Sequence, residues 1–165
     1  MLISFDVGIK NLAYCIIDYT DRNINIIDWQ VVTIEGKDIY EHSQSLFDIL
    51  QKISDSHTIS TALIENQPCN KNPKMKSIQM MIFSFFVLKD MKVYMISAVN
   101  KLKVKKNPVP TEKLTYSQKK KKSVELALMY TDDTYSDVLK TSKKKDDLAD
   151  CYLQGVFWLE KNDLV

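Results

Sequence analysis

The sequence predicts a mixed α/β fold in which helices lie on the faces of a five-stranded sheet. Five short runs are rich in β-branched and aromatic residues, and four longer segments have the apolar spacing of helices. Their order, βββ-α-β-α-β-α-α, is typical of a mixed sheet with helical cover. With 165 residues, 45% of them hydrophobic, we expect a single domain over 1–165 that needs neither a disulfide nor a structural metal to hold its core.

The first three predicted strands follow one another closely, at 2–7, 12–17 and 24–34. Short turns between successive strands favour an antiparallel meander. Gly8 stands in the first turn, where we expect it to adopt a positive φ.

The remaining elements alternate between helix and strand. Leu46, Leu50 and Ile53 recur at i, i+4 and i+7 and predict a helix over 40–53. We expect further strands at 61–65 and 92–96, and further helices at 74–90, 116–130 and 146–161. Two segments are expected to form loops: a Lys/Pro-rich stretch at 97–113 and a longer connection at 131–145.

The predicted helix 74–90, with Pro73 at its start, is apolar on more than one side. Its expected sheet-facing residues are Ile78, Ile82, Phe85 and Leu88. Its remaining apolar face, formed by Met80, Phe83 and Val87, then needs a second cover. A two-fold homodimer interface would provide that cover, and burial within the monomer is the alternative.

Charge is distributed unevenly along the chain. Residues 1–66 have a net charge of −6, residues 67–131 of +11 and residues 132–165 of −3. A basic middle segment suggests a cationic surface for a polyanion such as nucleic acid, while solvated lysine-rich faces are the alternative.

The three cysteines, Cys15, Cys69 and Cys151, are far apart and accompany only two histidines. This pattern argues against a zinc site or a disulfide framework and favours a reducing intracellular compartment. We see no signal peptide and no apolar stretch long enough for a membrane span.

Two acids stand at the ends of apolar strands. Asp6 lies between Phe5 and Val7, and Glu65 ends the run TALIE. Burying a carboxylate is costly unless it is paired or binds a metal ion. The two side chains meet if the first and fourth strands are neighbours; a structural hydrogen-bond acceptor is the alternative for Asp6 alone.

The last predicted helix adds a third group of acids. Asp147 and Asp150 share one side of it, and Asp146 could share that side too, because spacing alone does not choose between them. Asp146 also suits the positive end of the helix dipole. Converging carboxylates favour Mg²⁺ or Mn²⁺, and two such ions would support phosphodiester cleavage.

Three motifs, in this order along the chain, resemble those of the RuvC-like Holliday-junction resolvases, particularly the poxvirus, iridovirus and mitochondrial-type branches. They are FDVGIKNLAY (5–14), IENQP (64–68) with NPKMKSIQ (72–79), and KKDDLADCY (144–152). The resemblance implies an RNase H-like fold, a homodimer and Mg²⁺-dependent symmetric nicking of four-way DNA junctions. It also implies that the metal ligands are Asp6, Glu65, Asp147 and Asp150.

The resemblance further implies a functional lysine before the last helix. Lys121 is our choice within the run 119–122, and Lys101 and Lys103 are competitors. The side chains expected to contact DNA are Lys10, Asn11, Lys71, Lys74, Lys76, Lys101, Lys103, Lys105, Lys106, Lys119, Lys120 and Lys122. For Lys10 and Asn11, an ordinary hairpin turn is the alternative.

Other activities remain to be distinguished. An RNase H acting on RNA–DNA hybrids would need only one active site, and a non-catalytic branched-DNA-binding module would bind without cutting. An actin-like ATPase is excluded because it needs two large lobes. If the protein is viral, we expect it at the site of viral DNA replication, with the mitochondrion as a second possibility.

Overall fold

A five-stranded mixed sheet forms the centre of the fold. The computed structural model describes residues 1–70, 72–107 and 114–165. The strands are β1 (Leu2–Asp6), β2 (Leu12–Asp18), β3 (Asn25–Val32), β4 (Thr61–Glu65) and β5 (Lys92–Ile96). Their order across the sheet is β3-β2-β1-β4-β5. The first three pair antiparallel, while β4 pairs parallel with both β1 and β5, which confirms the predicted mixed sheet and its meander.

Helices cover both faces of this sheet. They are α1 (Ile39–Ser56), α2 (Pro73–Leu88), α3 (Tyr116–Tyr130), α4 (Asp133–Thr141) and α5 (Lys145–Lys161). All but α4 match the predicted helices to within a few residues. Short 3-10 turns form at Thr20–Arg22 and Ala98–Asn100.

Helix α4 lies in the segment that was expected to be a loop, so that expectation is wrong. The side chain of Asp132 accepts a hydrogen bond from the Tyr135 backbone N–H at 3.0 Å and caps the helix. Leu139 is fully buried in the core that α4 shares with α5. Capping and burial together stabilise a helix that is short on its own.

Side-chain alternation along β1 divides the core into two layers. Ile3 and Phe5 pack with α1 and α2, whereas Leu2 belongs to the layer of α3, α4 and α5. Helix α5 packs directly on β1 and β2. A Cβ on Gly155 would lie 2.6 Å from Ile17 Cδ1, so a larger residue there would have to displace the end of that side chain.

Helix α2 is rotated relative to the expected orientation. Its buried side consists of Ile78, Gln79, Ile82 and Phe86. Leu88 is 85% exposed, and Phe85 is only partly buried, stacking on Phe47 of α1 at 6.2 Å between ring centroids. The expectation for Phe85 and Leu88 is therefore wrong, because Phe86 rather than Phe85 lies one helical turn after Ile82.

The turn after β1 needs glycine for a different reason than expected. Gly8 does not have a positive φ. Instead, a Cβ at this position would lie 2.4 Å from the Asn11 carbonyl oxygen, so any side chain would collide with the backbone. The tight return of the chain, rather than a left-handed conformation, requires Gly8.

All three cysteines are free thiols; Cys15 and Cys151 are buried and Cys69 is exposed. Among the residues that can be placed, none of the helices combines the length and apolar character needed to cross a bilayer.

Candidate active site

The pairing of β1 with β4 brings the two strand acids together. The strands run parallel with Phe5 opposite Ile64, so Asp6 and Glu65 are the next pair along. Alternation turns both side chains toward the face covered by α5, because Phe5 and Ile64 face the other layer. Glu65 raises the pKa of Asp6, so the two carboxyl groups lie close enough to interact electrostatically.

Helix α5 supplies the other two acids. Its first turn is joined to β3 by Trp29, whose Nε1 donates to the Leu148 carbonyl at 3.0 Å. One turn after Asp150, the buried Gln154 donates to Ser4 Oγ at 3.0 Å and to the Phe5 carbonyl at 3.1 Å. These bonds hold the acidic turn of α5 over the carboxyl end of β1.

All four acids that the resemblance implies as metal ligands line one cavity of about 850 Å³. Asp146 is not part of its lining and instead forms an ion pair with Lys120. The side chains that the cavity does bring together with the four acids include Lys10, Asn11, Gln67, Lys101, Lys103, Tyr116, Lys119 and Lys120.

Asp150 has two close partners. The Lys101 ammonium donates to one of its oxygens and the Ser123 hydroxyl to the other. The same ammonium lies 4.0 Å from Glu65 Oε2. A single lysine therefore links an acid of α5 to an acid of β4.

Burial and mutual repulsion raise the pKa of three of these carboxyl groups. Burial raises the pKa of Asp6 well above its usual range, and Glu65 raises it further. The pKa of Asp147 is raised by burial and then by Asp146. For Asp150, burial raises the pKa, although Lys101 and Ser123 partly oppose the increase. Negative charge is thus concentrated in a poorly solvated place, where a cation would be favourable.

The donor set fits a divalent cation. Four carboxylates offer only oxygen ligands, which Mg²⁺ and Mn²⁺ prefer. An ammonium group already contacts two of these carboxylates. Within 1–70, 72–107 and 114–165, no three His, Cys, Asp or Glu side chains are already arranged around one point as a metal site.

The remaining lysines expected at the DNA lie elsewhere. Lys74, Lys76, Lys105, Lys106, Lys121 and Lys122 do not line the cavity, and Lys71 lies outside the described residues. Lys121 is exposed, and Lys122 lies 3.4 Å from Glu125 in an ion pair. Lys76 donates to Asn66 Oδ1 at 3.1 Å and so contacts the loop that follows Glu65.

Lys105 and Lys106 hold the loop after β5 against the ends of α3 and α5. The Lys105 backbone N–H donates to Glu160 at 2.7 Å, and the Lys106 backbone N–H donates to the Tyr130 hydroxyl at 2.9 Å. The Lys106 ammonium donates to the Met129 carbonyl at 2.7 Å. These contacts give both lysines a part in packing the loop.

Sequence reasoning did not identify Ser123, Gln154 or Tyr116 as parts of this site. A signal existed for Gln154, which is a polar residue on the apolar side of α5, four positions after Asp150. Ser123 is buried in α3, directly after the lysine run, and only the packing of α3 on α5 brings it to Asp150. No sequence pattern indicated a role for Tyr116, which is the first residue of α3 and is 75% exposed.

Two sequence comparisons relate this chain to viral proteins. A family model described as "Poxvirus A22 protein" matches residues 1–162. The uncharacterized protein L451 of Acanthamoeba polyphaga mimivirus is 40% identical over 122 residues, which are 62% of this chain and 29% of that protein. The chain thus spans less than a third of the length of this viral relative.

Several solved structures of Holliday-junction resolvases match this chain in fold. The fowlpox virus resolvase matches with a TM-score of 0.71 and 23% identity over 97% of this chain and 98% of that one. The same resolvase in complex with junction DNA gives 0.68 and 25% over 98% and 99%. A yeast mitochondrial resolvase gives 0.67 and 18% over 99% and 80%.

The fold is therefore the RNase H-like fold of these resolvases, as the sequence resemblance implied. Because the family model spans residues 1–162 of 165, this chain belongs to the poxvirus A22 protein family.

Proposed function

We propose that this protein is a structure-selective DNA endonuclease that resolves four-way junctions by paired, symmetric nicks. The observation that carries the proposal is the convergence of Asp6, Glu65, Asp147 and Asp150 on one cavity with lysines around it. Membership of the poxvirus A22 family and the likeness to a resolvase in complex with junction DNA support it.

The four carboxylates would hold two divalent cations, Mg²⁺ or Mn²⁺, in each active site. Such ions activate a water molecule and stabilise the leaving oxygen in phosphodiester cleavage. Gln154 and Ser123 keep the acids of α5 in place.

Lysines around the cavity would bind the phosphates of the junction. Lys119 and Lys120 line the cavity and Lys121 is exposed, so the first two are better placed than Lys121 for contact with the scissile phosphate. Binding should be salt-sensitive, while selectivity should come from the shape and deformability of the junction.

A homodimer would explain paired cleavage. Met80 and Val87 on α2 are 42% and 45% exposed. Phe83, which lies between them in the sequence of the same helix, is half-buried. Pairing this face across a two-fold axis would bury it and supply two active sites for two symmetry-related phosphates.

We place the protein in a reducing intracellular compartment, at the site of viral DNA replication, which suits its three free thiols.

The test compares three labelled substrates, a four-way junction, a linear duplex and an RNA–DNA hybrid, with and without Mg²⁺. We expect paired nicks in the junction alone and only with the metal. Asp147→Asn should reduce cleavage by about a thousandfold or more and retain binding. The matched control is Asp137→Asn, on the exposed surface of α4, which should cut normally. Preferential cutting of the hybrid, or binding without any cleavage, would contradict the proposal.

A further inference from the structure

Lys101 is held in place by the backbone around it. It directly follows the 3-10 turn Ala98–Asn100, and the Lys103 N–H donates to the Asn100 carbonyl at 2.8 Å. Its neighbour Leu102 is 6% exposed and packs in the core layer of α5. The turn and this anchor direct the Lys101 side chain into the carboxylate cavity.

The ammonium of Lys101 is poorly solvated and surrounded by acids. Its side chain is 20% exposed; it donates to Asp150 and lies 4.0 Å from Glu65. Burial alone lowers the pKa of Lys101, but Asp150, Glu65 and Asp6 outweigh that effect and hold the pKa above its ordinary value. A buried ammonium is costly unless it is paired, and these acids provide the pairing.

The same carboxylate oxygens cannot serve two cations equally. A divalent ion bound by Glu65 and Asp150 would repel an ammonium that contacts both, and it would compete for their lone pairs. Lys101 has a flexible four-carbon stem, so its head can move while its backbone stays anchored. Lys103 lines the same cavity with an exposed side chain, which makes it a matched comparison.

We propose that Lys101 is the resident counter-ion of the carboxylate cavity: it holds Glu65 and Asp150 together before a divalent cation binds, and it leaves them when that cation enters. The inference rests on the proposed function, because that function assigns the carboxylates to the cation. Once released, the ammonium would remain in the cavity and could contact a phosphate of the DNA.

The first test measures Mn²⁺ binding without DNA, by electron paramagnetic resonance titration, in the full chain and in Lys101→Met and Lys103→Met. Removing a competitor should tighten Mn²⁺ binding about tenfold or more in Lys101→Met. Lys103→Met removes the same charge from the cavity without removing a direct competitor, so its effect should be several-fold smaller. Metal-free Lys101→Met should melt below the unsubstituted protein and gain more from Mn²⁺.

A second measurement uses the unsubstituted protein, so it does not depend on how the variants fold. Acetylation of each lysine at fixed pH is followed by mass spectrometry with and without saturating Mn²⁺. Lys101 should be protected without metal and react several-fold faster with it, while Lys103 should change little. Equal effects of both substitutions on Mn²⁺ affinity, or continued protection of Lys101 at saturation, would overturn the exchange. Absence of any Mn²⁺ binding would instead overturn the proposed metal centre.

Discussion

At the scale of single residues, Gln154 illustrates how a side chain can organise a site without lining it. Its amide nitrogen donates to Ser4 Oγ and to the Phe5 carbonyl, immediately before Asp6 in β1. Asp150 lies one helical turn away on α5. The bonds therefore set the distance between two acids that come from remote parts of the chain.

Replacing Gln154 by methionine removes these donors and keeps a similar volume. We expect the free energy of unfolding to fall by about 1–3 kcal/mol, because Ser4 is fully buried and loses a partner. Urea unfolding measures the loss. Gln30→Met is the control, since Gln30 makes an exposed bond to Asp28, and it should cost less than about 0.5 kcal/mol. Equal losses would contradict this role.

The lysines of the run 119–122 differ in position: Lys119 lines the carboxylate cavity, whereas Lys121 is exposed. Lys119→Met removes a charge from the cavity lining and should slow single-turnover junction cleavage about tenfold or more. Lys121→Met removes a charge from the exposed side of α3, so it should slow cleavage much less. A larger effect at Lys121 would restore it as the functional lysine that the sequence resemblance implied.

At the scale of secondary structure, α4 shows how a short helix depends on its surroundings. It has nine residues, fewer than an isolated helix needs for stability in water. Its cap at Asp132 is local, but the burial of Leu139 depends on the packing of α4 against α5 and α3. Tyr135 of the same helix packs near Trp29, which in turn bonds to the first turn of α5.

Truncating Leu139 to alanine should therefore destabilise the protein by about 2–5 kcal/mol, because it leaves a cavity beside α5. Denaturant unfolding provides the measurement. Val138→Ala is the matched control on the same helix; Val138 is 39% exposed and should cost less than about 1 kcal/mol. A loss at Leu139 no greater than that at Val138 would show that α4 contributes little to the core.

At the scale of the whole molecule, the apolar face of α2 is the surface through which we expect two monomers to form the dimer that paired cleavage needs. This face carries Met80, Phe83 and Val87 on the opposite layer of the sheet from α5. A dimer formed there would leave each carboxylate cavity free for DNA. The cavity is lined mainly by the turn after β1, the segment after β5, α3 and α5, and Met75 near the start of α2 is the residue of that helix in its lining.

Met80→Glu combined with Val87→Glu should convert a dimer into a monomer in sedimentation velocity, because it would bury like charges across the two-fold axis. The monomer should nick junctions singly instead of in pairs. Ile27→Glu places a single glutamate on an exposed apolar residue of the edge strand β3, and this control should remain dimeric. A double variant that still sediments as a dimer would exclude this interface.

The sequence by itself determined the order and type of most elements, because apolar periodicity is a local property of the chain. It also identified Asp6 and Glu65, because a carboxylate at the end of an apolar strand conflicts with its surroundings. The three sequence motifs indicated the protein family and the RNase H-like fold, and the comparisons agree with both. The sequence-based expectations were wrong for α4, for the backbone of Gly8 and for the buried side of α2.

Tertiary structure alone decided the contacts between distant segments. Spacing could not distinguish Asp146 from Asp147, but the rotation of α5 on the sheet places Asp147 at the cavity and Asp146 against Lys120. Tertiary structure likewise places Lys101 beside Glu65 and Asp150. Sequence periodicity defines the faces of one element, whereas the order of strands and the packing angle of each helix determine which faces meet.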